Sequence, residues 1–162
     1  MKNETAATIL LASEALDLEA LKRSFAERDA KIGVIGLGSM GTGYMKHLAE
    51  SDRWDVVAAC DLSEERLGWA RETYPGIETT KRSADIITRA DLDAVGIFTL
   101  ADIRPQLIEQ ALKHGKHVLA EKPIADSIPV EKELLSKIEA SDRIVAVNIF
   151  SSCVMYNIET KV

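Results

Sequence analysis

The sequence predicts an α/β fold, a doubly wound, three-layer parallel sheet of about six strands preceded by an N-terminal helix. Three observations predict it. From residue 30 onward short apolar runs alternate with helical segments. The runs are apolar nearly throughout, as strands covered by helices on both faces must be. A glycine-rich turn stands directly between the first run and the first helical segment.

Taken in order, residues 13–28 read as an amphipathic helix, with Leu18, Leu21 and Phe25 at spacings of three and four and charges on the other face. Two roles stay open for it: a helix or partly ordered arm on its own domain, or a dimer contact. Strands are expected at residues 31–35, 55–60, 77–80, 94–99, 116–120 and 143–149, and helices at 40–50, 63–73, 84–89, 103–114 and 130–141. Ser63 caps the second of these helices, with Glu64 and Glu65 in its first turn. Residues 151–162 show neither a helical stripe nor strict alternation. The expected organisation is thus a helical extension (1–29), one sheet domain (30–150) and a short tail (151–162), with no second domain.

A chain of 162 residues buries roughly 68–70% of the surface its unfolded form exposes, enough for a core without disulfides or metal. Its 20 Lys and Arg stand against 26 Asp and Glu, a net charge of −6, so no cationic excess exists to neutralise phosphates or an anionic membrane. Nucleic acid and membrane are not expected partners, and no run reaches the ~20 apolar residues of a bilayer span. Cys60 and Cys153 fit neither a redox pair nor a zinc-ligand spacing, which suggests a reducing, cytoplasmic setting. The apolar stretch 6–12 is too short and its positive flank too thin for a secretory leader.

The turn itself reads Gly36-Leu37-Gly38-Ser39-Met40-Gly41, a GxGxxG between strand and helix. In that position Gly36 makes the tight turn, Gly38 admits a pyrophosphate close to the backbone, and Gly41 lets helix pack on strand. The free amides and positive end of the helix dipole receive the phosphates. Asp61 stands twenty residues beyond Gly41 at the tip of the second strand. A carboxylate there accepts both hydroxyls of an adenosine ribose and repels a 2′-phosphate, favouring NAD over NADP. Arg66, close in sequence, leaves some use of NADP open. The expectation is a Rossmann-type dinucleotide site.

The stretch Lys116-His117-Val118-Leu119-Ala120-Glu121-Lys122-Pro123, preceded by Ala111-Leu112-Lys113-His114-Gly115, resembles the fifth-strand motif of the glucose-fructose oxidoreductase and inositol dehydrogenase family (Gfo/Idh/MocA). With the glycine turn and Asp61 the resemblance extends over residues 30–149. It implies an NAD(P)-dependent oxidoreductase acting on sugars, inositols or related polyols. Lys122 matches the family lysine beside the nicotinamide ribose and substrate hydroxyl, so the resemblance makes it the catalytic candidate and a cofactor contact. Glu121 would hold that turn and Pro123 fix its backbone. Thr99 and Leu100, after the fourth strand, fall at the cofactor-facing loop, where the family often shows Thr-Pro and then a histidine. Here Leu100 replaces the proline and Arg104 takes the histidine's place; a solvent-facing helix start is the role expected of Arg104.

The family continues into a substrate domain that supplies the catalytic acid-base residues, and this chain is expected to lack it. His47, His114 and His117 read as structural. Two functions stay open: the cofactor domain of such an oxidoreductase, or a stand-alone dinucleotide-binding or redox-sensing module acting through a homodimer or partner. A nucleoside-diphosphate or methyl-donor site on the same fold is a third, which the Glu-Lys-Pro turn argues against.

Overall fold

Six apolar segments pair as parallel strands, β1 (Ala30–Ile35), β2 (Trp54–Cys60), β3 (Glu78–Thr80), β4 (Ala94–Ile97), β5 (His117–Glu121) and β6 (Val145–Asn148). They lie in the order β3-β2-β1-β4-β5-β6. Five helices connect them: α1 (Ser39–Ala49), α2 (Glu64–Thr73), α3 (Ser83–Ile87), α4 (Arg104–Lys113) and α5 (Ile128–Glu139). The structure is a computed structural model that describes residues 30–148. The expected helix at 13–28, the tail 151–162 and Ile149 at the end of the sixth strand lie outside the described residues.

Element boundaries follow local chemistry. Ser63 caps α2 by accepting from the Arg66 amide at 3.4 Å, with Glu64 and Glu65 at the positive end of the helix dipole. Helices α4 and α5 each carry proline in the first turn, where its missing N–H costs nothing. That proline starts α5 at Ile128, two residues before the expected position. Strand β4 ends at Ile97 rather than 99 because its partner β1, paired Ile35 to Ile97, turns away at Gly36; beyond that point the Phe98 ring lies over Gly96. A Cβ on Gly96 would lie 2.7 Å from that ring. Strand β6 begins two residues late because the Arg143 amide bonds the Ser141 hydroxyl at 3.1 Å, closing a turn first.

Helices cover the sheet unequally. On one face α3, α4 and α5 bring Ile86, Ile108, Leu134 and Ile138 onto Ile35, Val95, Ile97 and Val118. On the other, Met45 and Leu48 of α1 and Leu67 and Ala70 of α2 pack on Ile32, Val34 and Ala59. Helix α1 lies over β1 and β2, and α2 over β2 and β3. On the β5–β6 side of this second face Leu119 is only half-buried and its neighbour Ala146 is exposed. A cavity of about 230 Å³ runs there between Ile32, Leu48, Trp54, Ala94, Leu119 and Ala146.

Polar ties close the edge of the sheet where the strands begin. The Lys31 amide donates to Asp93 Oδ2 at 2.8 Å. Lys116, buried at the start of β5, donates through Nζ to the carbonyl of Leu92 at 2.7 Å and to that of Arg89. His117 Nδ1 accepts the Ile144 amide at 3.0 Å, which requires that nitrogen to be unprotonated. Burial, with help from the nearby Arg143, holds the His117 pKa below the usual histidine value; Asp93 and Asp142 oppose the shift.

A base whose folded pKa is lowered leaves the unfolded chain binding the extra proton. The contribution of His117 is therefore complete above the unfolded value of about 6.5 and is lost as pH falls through the folded value. Urea midpoints measured at about pH 7.5 and about pH 5.5 should fall on acidification, and His117→Gln should reduce that fall. An identical fall in the variant would show that His117 does not carry it.

Candidate functional site

In this strand order the chain reverses direction of travel between β1 and β4, and the crevice at the carboxyl ends of those strands is where open α/β sheets bind ligands. The loop after β1 is built for close approach. Gly36 has φ +92°, a left-handed conformation favoured for glycine. Its amide donates to the Cys60 carbonyl at 2.8 Å, and a Cβ there would meet the Phe98 carbonyl at 2.8 Å. A Cβ on Gly41 would sit 1.8 Å from the Gly36 carbonyl oxygen, so the first turn of α1 rests directly on the loop. A Cβ on Gly38 would meet nothing within 4 Å, and Ser39 and Met40 are exposed. Gly38 is the N-cap of helix α1, which has no side-chain cap and no acidic residue in its first turn, leaving its amides available to an anion.

Asp61 is 9% exposed at the tip of β2. Its Oδ2 accepts the Leu37 amide at 2.7 Å and its Oδ1 the Ser63 amide at 2.8 Å. Arg66 approaches Oδ2 at 3.4 Å from a half-exposed position. Burial works against the charged carboxylate, but the Ser63 and Leu37 amides and the Arg66 guanidinium outweigh it and hold the pKa below the ordinary aspartate value. The Asp61 carboxylate thus fastens the glycine loop to the β2–α2 turn. Cys60, its neighbour, is buried, and burial together with the Asp61 and Asp85 charges pushes its thiol up to about 11. At that value the thiol is no nucleophile at neutral pH.

Phe98, at the end of β4, stacks on Tyr44 of α1 with ring centroids 4.7 Å apart. Thr99 is half-buried and Leu100 exposed beyond it. Glu121 ends β5, buried, with Oε2 accepting the Lys122 amide at 3.1 Å and Oε1 accepting from the Asn148 side chain. Lys122 is exposed and its bond to Pro123 is cis. The topology therefore gathers Gly36 to Gly41, Asp61, Thr99, Leu100, Glu121 and Lys122 along one edge of the sheet.

Arg104 is a correction. Instead of facing solvent at the start of α4 it is 4% exposed, and its guanidinium donates to the carbonyls of Thr99 and Pro123. The two loops it bridges supply the acceptors, and no spacing on α4 itself announces them. Leu62, directly after Asp61, is 83% exposed, and no spacing in the sequence singles it out. Among the described residues no cluster of three or more His, Cys, Asp or Glu side chains is arranged to hold a metal ion. No described helix is long and apolar enough to cross a membrane.

These features define a dinucleotide-binding Rossmann domain. The sequence matches, over residues 30–149, the model of the GFO_IDH_MocA oxidoreductase family, NAD-binding Rossmann fold. The chain belongs to that family and carries its NAD-binding domain. Among its relatives is myo-inositol 2-dehydrogenase of Thermotoga maritima, 28% identical over 115 residues, which are 71% of this chain and 34% of that protein. A glycosyl hydrolase family 109 protein of Porphyromonas gingivalis is 29% identical over 124 residues, 70% of this chain and 25% of that protein. The solved structure of scyllo-inositol dehydrogenase from Lactobacillus casei with bound NAD(H) and scyllo-inositol superposes with a TM-score of 0.70 at 29% identity, over 80% of this chain and 39% of that one. The matched region spans between a quarter and about two fifths of the length of these relatives.

Two glycines on α1 separate the demands of the loop from those of the helix. Gly41→Ala should destabilise the chain by about 1–3 kcal/mol or more, because backbone must move to admit the methyl. Gly43 has nothing within 4 Å of a built Cβ, so Gly43→Ala should stabilise by about 0.5–1 kcal/mol. Urea denaturation of both variants checks the contrast; two effects of the same sign would contradict it.

Proposed function

We propose that the domain binds NAD(H) in preference to NADP(H) and serves an oxidoreductase that acts on an inositol or related polyol. The observation that carries the cofactor preference is the buried, ionised carboxylate of Asp61 at the tip of β2, fastened to the loop it adjoins. The uncapped amides at the start of α1 would hold the pyrophosphate. Asp61 would accept the ribose hydroxyls with the lone pairs left by Leu37 and Ser63, and its negative charge disfavours a 2′-phosphate. Exposed Leu62, following β2, would flank the adenine.

The nicotinamide supplies hydride exchange with a substrate carbon when bound. On the protein side, Lys122 at the end of β5 would place an ammonium where a substrate hydroxyl loses its proton, stabilising the developing alkoxide. Thr99 and Leu100 would bound the nicotinamide side of the cleft. The polyol substrate class rests on the inositol dehydrogenases among the relatives. Turnover further needs a pocket that holds the substrate over the nicotinamide, and the matched relatives are several times longer than the region they share with this chain. A cytoplasmic setting accords with the free thiol of Cys60.

Calorimetric titration of the chain with NADH and NADPH tests the cofactor assignment. NADH should bind at least about tenfold more tightly, and Asp61→Ala should weaken NADH binding and narrow that ratio. Equal binding of the two cofactors by the unaltered protein, or an unchanged ratio in the variant, would overturn the role given to Asp61.

A further inference from the structure

Arg104 is a charged side chain almost wholly inside the protein that has no ion-pair partner within 4 Å among the described residues. Its two terminal nitrogens are spent on backbone carbonyls, those of Thr99 and Pro123, and its Nε is buried without a partner. Burial lowers its pKa, opposed by the charge of Glu121. A guanidinium placed this way is a costly means of filling space, since an apolar side chain would not need compensation. What the arginine does that an apolar residue cannot is join two separate loops through a rigid, planar fork.

Those loops are the two that border the β4–β5 part of the ligand edge. Thr99 is followed by exposed Leu100, and Pro123 is preceded by exposed Lys122. Glu121 holds the second loop from the other side through the Lys122 amide and Asn148. In the loop after β4 the Asp102 carboxylate accepts the amide of its neighbour Ile103 at 2.9 Å and the Thr99 hydroxyl approaches the adjacent Leu100 carbonyl at 3.4 Å, both local contacts, whereas Glu121 also reaches Asn148 on β6. We propose that Arg104 is a positioning residue that sets the spacing between the Thr99–Leu100 backbone and Lys122, and through it the seat of the nicotinamide half of the cofactor. The assignment rests on the NAD(H) reading above. It concerns only one end of that ligand, because Arg104 touches neither the glycine loop nor Asp61.

The test compares NADH with ADP-ribose, which lacks the nicotinamide, by calorimetry on the unaltered chain and on Arg104→Gln, Arg104→Lys and Arg104→Ala. The unaltered chain should prefer NADH. Arg104→Gln should lose about tenfold or more in NADH affinity while ADP-ribose stays within about twofold. Arg104→Lys, which keeps the charge and can reach one carbonyl, should recover part of the loss. Retained ADP-ribose binding doubles as the control for folding, and if Arg104→Ala does not fold the other two variants carry the comparison. Equal loss of both ligands would mean that Arg104 serves the fold alone and would overturn the proposal, as would an unchanged NADH affinity in Arg104→Gln or equal binding of the two ligands by the unaltered chain. Failure of the unaltered chain to bind ADP-ribose at all would instead overturn the cofactor reading and the assignment with it.

Discussion

The approach of α1 to the loop after β1 is the constraint on which the ligand edge depends. A hydrogen in place of a side chain at position 41 brings the helix against the Gly36 carbonyl, where a methyl would lie 1.8 Å away. Everything next to it is set by that contact. The helix start stays open at Gly38, Tyr44 one turn further on reaches Phe98 at the end of β4, and Leu37 is placed so that its amide points at Asp61. Loosening α1 would separate three strand ends at once, because β1, β2 and β4 are all tied through residues of this loop and helix.

Buried polar groups divide by the end of the sheet they occupy. Lys116 serves the end where strands begin, holding the Arg89–Leu92 segment. Asp61, Glu121 and Arg104 serve the opposite end: Asp61 takes the Leu37 and Ser63 amides and the Arg66 guanidinium, Glu121 the Lys122 amide and the Asn148 side chain, and Arg104 two loop carbonyls. A buried carboxylate or guanidinium is stable only when such partners are supplied, so the loops and the charges specify one another. Leu62, Leu100 and Lys122 stand exposed on the loops held in this way.

The parts of this arrangement that were legible in the sequence are those that follow from local spacing. Strand and helix placement came from apolar periodicity, and the glycine turn and Asp61 from their offsets along β1, α1 and β2. Ser63 as the cap of α2 was local as well. Arg104 was not legible, because its two acceptors belong to residues five and nineteen positions away and a carbonyl oxygen leaves no mark in the sequence. Lys116 was hidden for the same reason, its acceptors lying on a loop more than twenty residues earlier. The early end of β4 follows from the turn of its partner β1 at Gly36, just past the Ile35–Ile97 pair, a pairing that the apolar run Ile97-Phe98 does not reveal.

Exposed apolar side chains gather at this same edge. The large hydrophobic residues that stand out of the described surface are Met40, Leu62, Leu100, Ile103, Ile128 and Val130. All six follow the carboxyl ends of strands: Met40 follows β1, Leu62 β2, Leu100 and Ile103 β4, and Ile128 and Val130 β5. Scattered exposed leucines need no explanation, but a set confined to one edge does. A dinucleotide would reach those beside β1, β2 and β4, whereas Ile128 and Val130 lie at the start of α5, on the far side of the Lys122–Pro123 turn from the glycine loop. The exposed apolar side chains of this edge therefore fall into two parts, and the Lys122–Pro123 turn stands between them.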